Sequence, residues 1–159
     1  AYLQSALVLQ HPAHAERLGR ALADLVRDAR PTVVLSPALG GLIIGHEVGR
    51  ALGVRAIFAE RVDGILTLRR GFSLSAGDRV VVVEDVVTTG LSTRETIACA
   101  AAAGATVVAA CAIVDRSGNG AGLTVPFHSL AQYVVESYQP DACPLCAAGE
   151  PIVKPGSRK

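Results

Sequence analysis

The stretch that decides the fold is Val80–Thr93, which reads VVVVEDVVTTGLST. Its four leading valines are typical of a strand that is buried on both faces of a sheet. Two adjacent acids, Glu84 and Asp85, stand where that strand ends, and a loop of hydroxyl side chains and glycine follows them. A buried strand that ends in this way predicts a ligand site at the carboxyl edge of a parallel sheet.

The composition limits the class of protein. A chain of 159 residues is long enough for one domain with a substantial core. Aromatic residues make up only 4% of the chain and Trp and Met are absent, so the core must consist of Val, Leu, Ile and Ala. The net charge of +1 gives no general attraction to nucleic acid or to a membrane surface, and we expect neither as a partner.

Helix-like and strand-like patterns alternate along the chain. The predicted helices are His11–Ala29, one that follows Pro37–Gly41 and ends near Leu52, and one that ends near Ala103; the predicted strands are Thr32–Ser36, Val54–Glu60, Arg79–Asp85, Ala105–Asp115 and, more weakly, Ala131–Ser137. This alternation predicts an α/β fold, a single domain with a mainly parallel central sheet flanked by helices. The polar, basic segment Arg61–Asp78 is predicted to be a loop or a mobile hairpin.

One segment invites a different interpretation. No charged residue lies between Glu95 and Asp115, which approaches the length of a membrane-spanning helix. Gly104 divides this segment, however, so a helix, a turn and a strand are the favoured prediction.

The loop after Asp85 and the acids before it suit different parts of one ligand. Backbone amides at a helix start and the hydroxyls of Thr88 and Thr89 favour a phosphate, and Gly90 lets it approach the backbone. The acids repel a phosphate and suit hydroxyl groups or positive charge, so a ribose 5-phosphate fits both. Carboxylates there would also stabilise an oxocarbenium-like transition state. The residues alone leave open the alternative that the acids cap the helix and that the loop is an ordinary turn.

The cysteines and the chain start give weaker signals. Cys99 and Cys111 lie singly in apolar runs and are expected to be inert core residues. Cys143 and Cys146 form CPLC, for which a tight turn is favoured over a metal site, a site shared between two copies, or a redox pair. Free thiols without a leader segment favour the cytoplasm. The chain begins at Ala1 without Met, so we expect N-terminal residues to be missing.

The stretch Val80–Thr93 resembles the phosphoribosyl pyrophosphate (PRPP) signature of type I phosphoribosyltransferases, and the whole chain is similar to orotate phosphoribosyltransferases, especially bacterial ones with CPLC and KPGSR near the end. The resemblance implies the type I phosphoribosyltransferase fold with a flexible catalytic loop, in a domain of residues 1–159 whose tail is 143–159. It implies transfer of the phosphoribosyl group of PRPP to orotate, giving orotidine 5'-monophosphate and pyrophosphate in pyrimidine (UMP) biosynthesis. It also implies Mg²⁺ held mainly by the substrate, and a homodimer whose loop is shared across the interface.

The resemblance also implies roles for individual residues. Glu84, Asp85, Arg69 and Arg70 are the expected catalytic residues, and Thr88 and Arg116 are expected to bind orotate. The expected PRPP-binding residues are Ala38, Leu39, Gly40, Arg61, Glu84, Asp85, Val86, Val87, Thr88, Thr89, Gly90, Leu91 and Ser92. Family members carry a non-proline cis peptide in the pyrophosphate loop, here expected between Ala38 and Leu39.

Two departures and two rivals accompany the resemblance. Leu91 stands where the family usually has glycine, and no lysine occurs between Ala1 and Val153, although family loops often carry one. The family's base-contacting residues precede the position of Tyr2. One rival is a purine-type phosphoribosyltransferase, which would offer an aromatic stacking partner in place of Arg116. The other is a PRPP-sensing regulatory protein of the same fold, which would carry a basic face or a DNA-binding domain.

Overall fold

The computed structural model describes residues 3–118, 120–133, 138 and 140–150. Five α-helices are described: α1 (Ala6–Leu9), α2 (Pro12–Val26), α3 (Gly41–Leu52), α4 (Leu91–Ala102) and α5 (Pro144–Ala147). Six strands are described: β1 (Val33–Pro37), β2 (Arg55–Val62), β3 (Ile65–Leu68), β4 (Arg79–Val87), β5 (Thr106–Asp115) and β6 (Phe127–Gln132). Short 3₁₀ turns occupy Arg27–Ala29, Gly120–Gly122 and Pro140–Ala142.

The strands form one sheet in the order β3-β2-β1-β4-β5-β6. Every neighbouring pair is parallel except β2 and β3, which form an antiparallel hairpin. The predicted mainly parallel sheet is thus confirmed, and segment 61–78 supplies an edge strand as part of a hairpin.

The valines of β4 hold the two helix layers on the sheet. Val81 and Val83 point to one face, where they pack with residues of α2 and α3 such as Leu22 and Ile44. Val80 and Val82 point to the other face and join a cluster that includes Ala100 of α4. All four valines are fully buried, and burial of each contributes roughly 1.5–3 kcal/mol. This burial fixes the register of β4, and with it the place where Glu84 and Asp85 emerge.

The last strand differs from its prediction. The sequence placed it at Ala131–Ser137, whereas β6 begins at Phe127 and ends at Gln132. Pairing decides this, because Phe127–Gln132 lie in register with Ala110–Asp115 of β5. The polar residues His128 and Ser129 interrupt the apolar pattern there, so this part of β6 carries no strand signal in the sequence. Residues 134–137 of the predicted strand, like residues 1–2 and 151–159, lie outside the described residues.

The charge-free segment divides as predicted. Helix α4 ends at Ala102, Gly104 takes a left-handed φ of 84°, and β5 begins at Thr106. Among the described residues, no helix has the length and apolar character to cross a membrane.

Candidate functional site

The site lies where the order of the strands reverses. Strands β1 and β4 are parallel neighbours in the middle of the sheet, with Leu35 opposite Val82. The chain continues from β1 to β2 on one side and from β4 to β5 on the other side. The loops that follow β1 and β4 therefore diverge and leave a crevice at the carboxyl edge, the usual ligand position in such sheets. Each loop leads directly into a helix, α3 or α4.

The loop after β1 lies against the acid pair. Its Ala38–Leu39 peptide bond is cis, as expected from the family. A Cβ atom on Gly40 would lie 2.8 and 2.9 Å from the carboxylate oxygens of Asp85. A Cβ atom on Gly41 would lie 3.0 Å from the carbonyl oxygen of Val83. A side chain at position 40 would displace the Asp85 carboxylate, and one at position 41 would crowd the backbone of β4, so glycine lets the loop lie this close to the end of β4.

The two acids have different surroundings. Glu84 is only 7% exposed, and the backbone amide of Asp85 donates to it at 3.3 Å. Burial, and then repulsion by Asp85, raise the pKa of Glu84 well above its usual value. Asp85 is half-buried and accepts hydrogen bonds from the hydroxyl of Ser5 and, at 2.8 Å, from the amide of Val86. Asp85 is therefore held through both carboxylate oxygens.

The loop after β4 has the form of an anion site. Gly90 is the N-cap of α4, has a φ of 73° and receives no side-chain cap, so the alternative in which the acids cap this helix is wrong. The side chains of Thr88 and Thr89 are exposed. The amides of the first turn lack intrahelical partners and lie beside these hydroxyls. The positive φ falls on Gly90 while Leu91 is helical, so leucine at position 91 adds no backbone strain.

Arg116 lies at the end of β5, beside the end of β4. Its amide donates to the carbonyl oxygen of Val87 at 2.7 Å. Its Nε is buried without a hydrogen-bond partner, and so is Oδ2 of Asp115. The other oxygen of Asp115 accepts from the amide and hydroxyl of Ser117 at 2.8 and 2.6 Å. Asp115 and Arg116 thus do not pair with each other through these atoms, and the Nε of Arg116 remains a buried donor at the end of β5.

The arginines of the hairpin are held by acids. Arg70 donates to both oxygens of Glu60 at 2.7 and 2.8 Å and lies 5.7 Å from the ring centre of Phe58. The sequence offers no obvious partner for Arg70, and the structure supplies Glu60. Arg61 pairs with Glu95 of α4 and donates to the carbonyl oxygen of Gly64 at 2.5 Å. The hydrogen bond from Arg70 lowers the pKa of Glu60. Arg69 is exposed.

The structure adds residues that the sequence analysis missed. Ser5 contacts Asp85 across 80 positions of sequence, and no local pattern signals that pairing. Glu60 and Glu95, the ion-pair partners of Arg70 and Arg61, were also missed. Glu60 adjoins Arg61 and Glu95 follows the predicted phosphate loop, so acids close to arginines in the sequence were the signal for these pairs. Arg94 was missed as well. It lies in the first turn of α4, and a positive charge so close to a predicted phosphate loop was the available signal.

The CPLC segment forms a tight turn, the favoured interpretation. Cys143 is the N-cap of α5, and its sulfur accepts the amide of Cys146 at 3.5 Å. That hydrogen bond lowers the pKa of the Cys143 thiol. Both thiols are free, and the described part of the chain holds no group of three or more His, Cys, Asp or Glu side chains that could bind a metal ion.

Known proteins resemble this chain in sequence and in fold. The family model for the phosphoribosyl transferase domain matches residues 5–121. The orotate phosphoribosyltransferase of Heliobacterium modesticaldum is 54% identical over 159 residues, which are 99% of this chain and 83% of that protein.

Solved structures agree with these matches. The orotate phosphoribosyltransferase of Mycobacterium tuberculosis, in complex with PRPP, superposes with a TM-score of 0.71 at 25% identity and covers 82% of this chain and 80% of its own. Adenine phosphoribosyltransferase from Thermoanaerobacter pseudethanolicus superposes with a TM-score of 0.72 at 16% identity, covering 83% of this chain and 88% of its own, a likeness of fold alone. Taken with the acid pair between two glycine-containing loops, these matches mean that the chain belongs to the orotate phosphoribosyltransferases within the phosphoribosyltransferase family.

Proposed function

We infer that this chain transfers the phosphoribosyl group of PRPP to orotate, forming orotidine 5'-monophosphate and pyrophosphate. The observation that carries this inference is the position of Asp85, which lies against the Gly40 loop and directly precedes the phosphate loop that ends at Gly90. In the reaction, the bond from C1 of the ribose to pyrophosphate breaks, a bond from C1 to a ring nitrogen of orotate forms, and that nitrogen loses its proton.

The acid pair is proposed to act on the ribose. Asp85 would accept hydrogen bonds from the ribose hydroxyls and oppose the positive charge that develops at C1. Ser5 and the amide of Val86 fix its carboxylate, which limits reorganisation during the reaction. Glu84 lies deeper, where burial favours its neutral form, so it would contribute hydrogen bonding more than charge.

The phosphates are proposed to bind on either side of Asp85. The residues from Thr88 to Ser92 would hold the 5-phosphate through amides and hydroxyls, flanked by Val86 and Val87. The pyrophosphate would lie on Ala38, Leu39 and Gly40 and be neutralised by Arg61, Arg69 and Arg70. Because Arg61 and Arg70 pair with acids in this structure, substrate binding must exchange those acids for pyrophosphate oxygens.

Arg116 and Thr88 are proposed to bind the base. A guanidinium suits the carboxylate or the neighbouring carbonyl group of orotate, and the buried Nε of Arg116 lacks a partner in this structure. A purine base has no carboxylate, so Arg116 would form no comparable charge-assisted hydrogen bond with it. The high identity to orotate phosphoribosyltransferases also favours orotate over the purine and regulatory alternatives.

Mg²⁺ is the proposed cofactor. It binds one or two carboxylates together with substrate oxygens more often than a cage of protein ligands. Asp85 fits that requirement, since its carboxylate is partly exposed, and the described residues offer no larger ligand cluster. Bound Mg²⁺ would neutralise charge on the leaving pyrophosphate.

The assembly and location are also proposals. We propose that residues 1–159 form one phosphoribosyltransferase domain, with 143–159 as its tail, that works in the cytoplasm as a homodimer. In that dimer the hairpin of one protomer would reach the site of the other.

The proposed function is tested by pyrophosphate release. The protein, PRPP and Mg²⁺ would be incubated with orotate, uracil, adenine, hypoxanthine or xanthine in parallel. We expect release with orotate alone. Release with a purine, or with none of the bases, would contradict the inference.

A further inference from the structure

Arg94 joins two loops of the site. Its Nη1 donates to the carbonyl oxygen of Thr89 at 3.0 Å and to that of Ala121 at 2.8 Å. Thr89 belongs to the loop proposed to hold the 5-phosphate. Ala121 belongs to the segment that follows Arg116, the residue that is proposed to bind the base. We call this segment the base-binding segment.

The two loops are also in close contact around this bridge. A Cβ atom on Gly90 would lie 2.4 Å from the Cβ of Ala121, so no other residue fits there without displacing the second loop. Ala121 has a left-handed φ of 56°, and its amide donates to the hydroxyl of Ser117 at 2.8 Å. The conformation at Ala121 is thus fixed from one side by Ser117 and from the other by Arg94.

We propose that Arg94 is a positioning residue that sets the distance between the 5-phosphate loop and the base-binding segment. The proposal rests on the function inferred above. Arg94 touches the two loops and acts through them. A ligand that carries both a 5-phosphate and a base must find both loops at the right separation, whereas a ligand with the phosphate alone needs only one of them.

A simpler role makes a different prediction. Arg94 has an exposed side chain and could serve only as a positive charge near the phosphate. Removal of such a charge would weaken every phosphate-bearing ligand equally. Loss of the bridge would weaken the ligand that spans both loops far more.

Calorimetric titration of Arg94→Met with two ligands separates these roles. We expect affinity for orotidine 5'-monophosphate to fall about ten- to a hundredfold, the usual effect of losing hydrogen bonds from a charged group. Affinity for ribose 5-phosphate should fall by at most about fivefold, the range of an exposed charge. Added guanidinium ion should restore nucleotide affinity to Arg94→Ala, an effect that a general loss of stability would not show.

The controls distinguish the ways in which the proposal can fail. Arg17→Met removes an exposed arginine on α2 and should leave both affinities unchanged. Ser117→Ala loosens Ala121 from the other side without altering charge, and it should reproduce the selective loss even if Arg94→Met does not fold. Equal weakening of both ligands, or of neither, would overturn the positioning role. Wild-type protein that makes no pyrophosphate from orotate and PRPP would instead overturn the proposed function.

Discussion

Glu84 and Asp85 are neighbouring carboxyl groups with opposite environments. Glu84 continues the buried pattern of β4, while Asp85 is partly exposed and is fixed by Ser5. No described cation pairs with Glu84, so its raised pKa reflects burial next to a like charge. A buried acid of this kind costs stability whenever it is ionised.

Glu84→Gln should therefore stabilise the fold at neutral pH. In the wild type, the contribution of Glu84 to stability is fully present below its unfolded pKa and is lost as pH rises through the raised folded pKa. Glutamine has no such loss, so we expect a Tm gain of a few degrees at pH 8, on the order of 1 kcal/mol, and little gain at pH 4. Thermal unfolding of both proteins across this range is the measurement. An equal difference at both pH values would argue against burial as the cause.

Asp85→Asn should lower kcat more than it raises KM. The amide keeps the shape of the side chain but removes the charge that is proposed to face C1 in the transition state. Loss of one such group typically costs roughly a hundred- to a thousandfold in rate. Steady-state kinetics with circular dichroism as a folding control would test this. A normal kcat with only a raised KM would contradict the assigned role.

Arg116→Ala should weaken orotate binding about ten- to a hundredfold, because a charge-assisted hydrogen bond is lost. PRPP affinity should barely change, since other loops are proposed to hold it. Titration of each ligand against the variant decides between this role and a surface ion pair. Unchanged orotate affinity would refute base recognition by Arg116.

At the scale of elements, the β2–β3 hairpin is packed into the core through Ala59 and Leu66, and ion pairs hold its outer part. Its register has four residue pairs, from Ala59 with Leu68 to Val62 with Ile65. The ion pair of Arg61 with Glu95 connects the hairpin to α4, and the pair of Arg70 with Glu60 connects the segment after β3 to β2. Exposed pairs of this kind contribute only about 0–1 kcal/mol each, so a polyanionic substrate can replace them.

We expect hydrogen exchange in residues 62–75 to slow when PRPP and Mg²⁺ are added. The arginines would exchange carboxylate partners for pyrophosphate, and the hairpin would close over the site. Amides of β1 and β4 serve as an internal reference, since they are protected in either state. Equal exchange of residues 62–75 with and without ligand would rule out a closing lid.

The sequence predicted the elements whose signal is local. The valines of β4, the periodicity of α2 and Gly104 each report on their own surroundings, and those elements lie where expected. The start of β6 was missed because it depends on pairing with β5. In the candidate site, the acid pair and the glycine-containing loop after it are contiguous in the chain, so their proximity was predictable. Ser5 and the Arg94 bridge join segments that are distant in sequence, and only the folded chain brings them together.

At the scale of the whole molecule, mixing two inactive variants tests the proposed shared loop. Arg70→Ala and Asp85→Asn damage different parts of the site. If the hairpin crosses the interface, each mixed dimer has one intact site, so random mixing should restore about a quarter of wild-type activity. Subunit exchange followed by an activity assay is the measurement, with each variant alone as the control. No recovery despite demonstrated exchange would place the loop in its own protomer's site.

The antiparallel edge strand β3 has a further consequence for how this enzyme could diversify. Among the described strands it pairs only with β2, as an antiparallel partner, so it takes no part in a β-α-β crossover there. Its tip can therefore be lengthened, shortened or replaced without altering the order of the parallel strands. The hairpin is therefore a part that evolution can exchange while the parallel sheet beneath it stays constant.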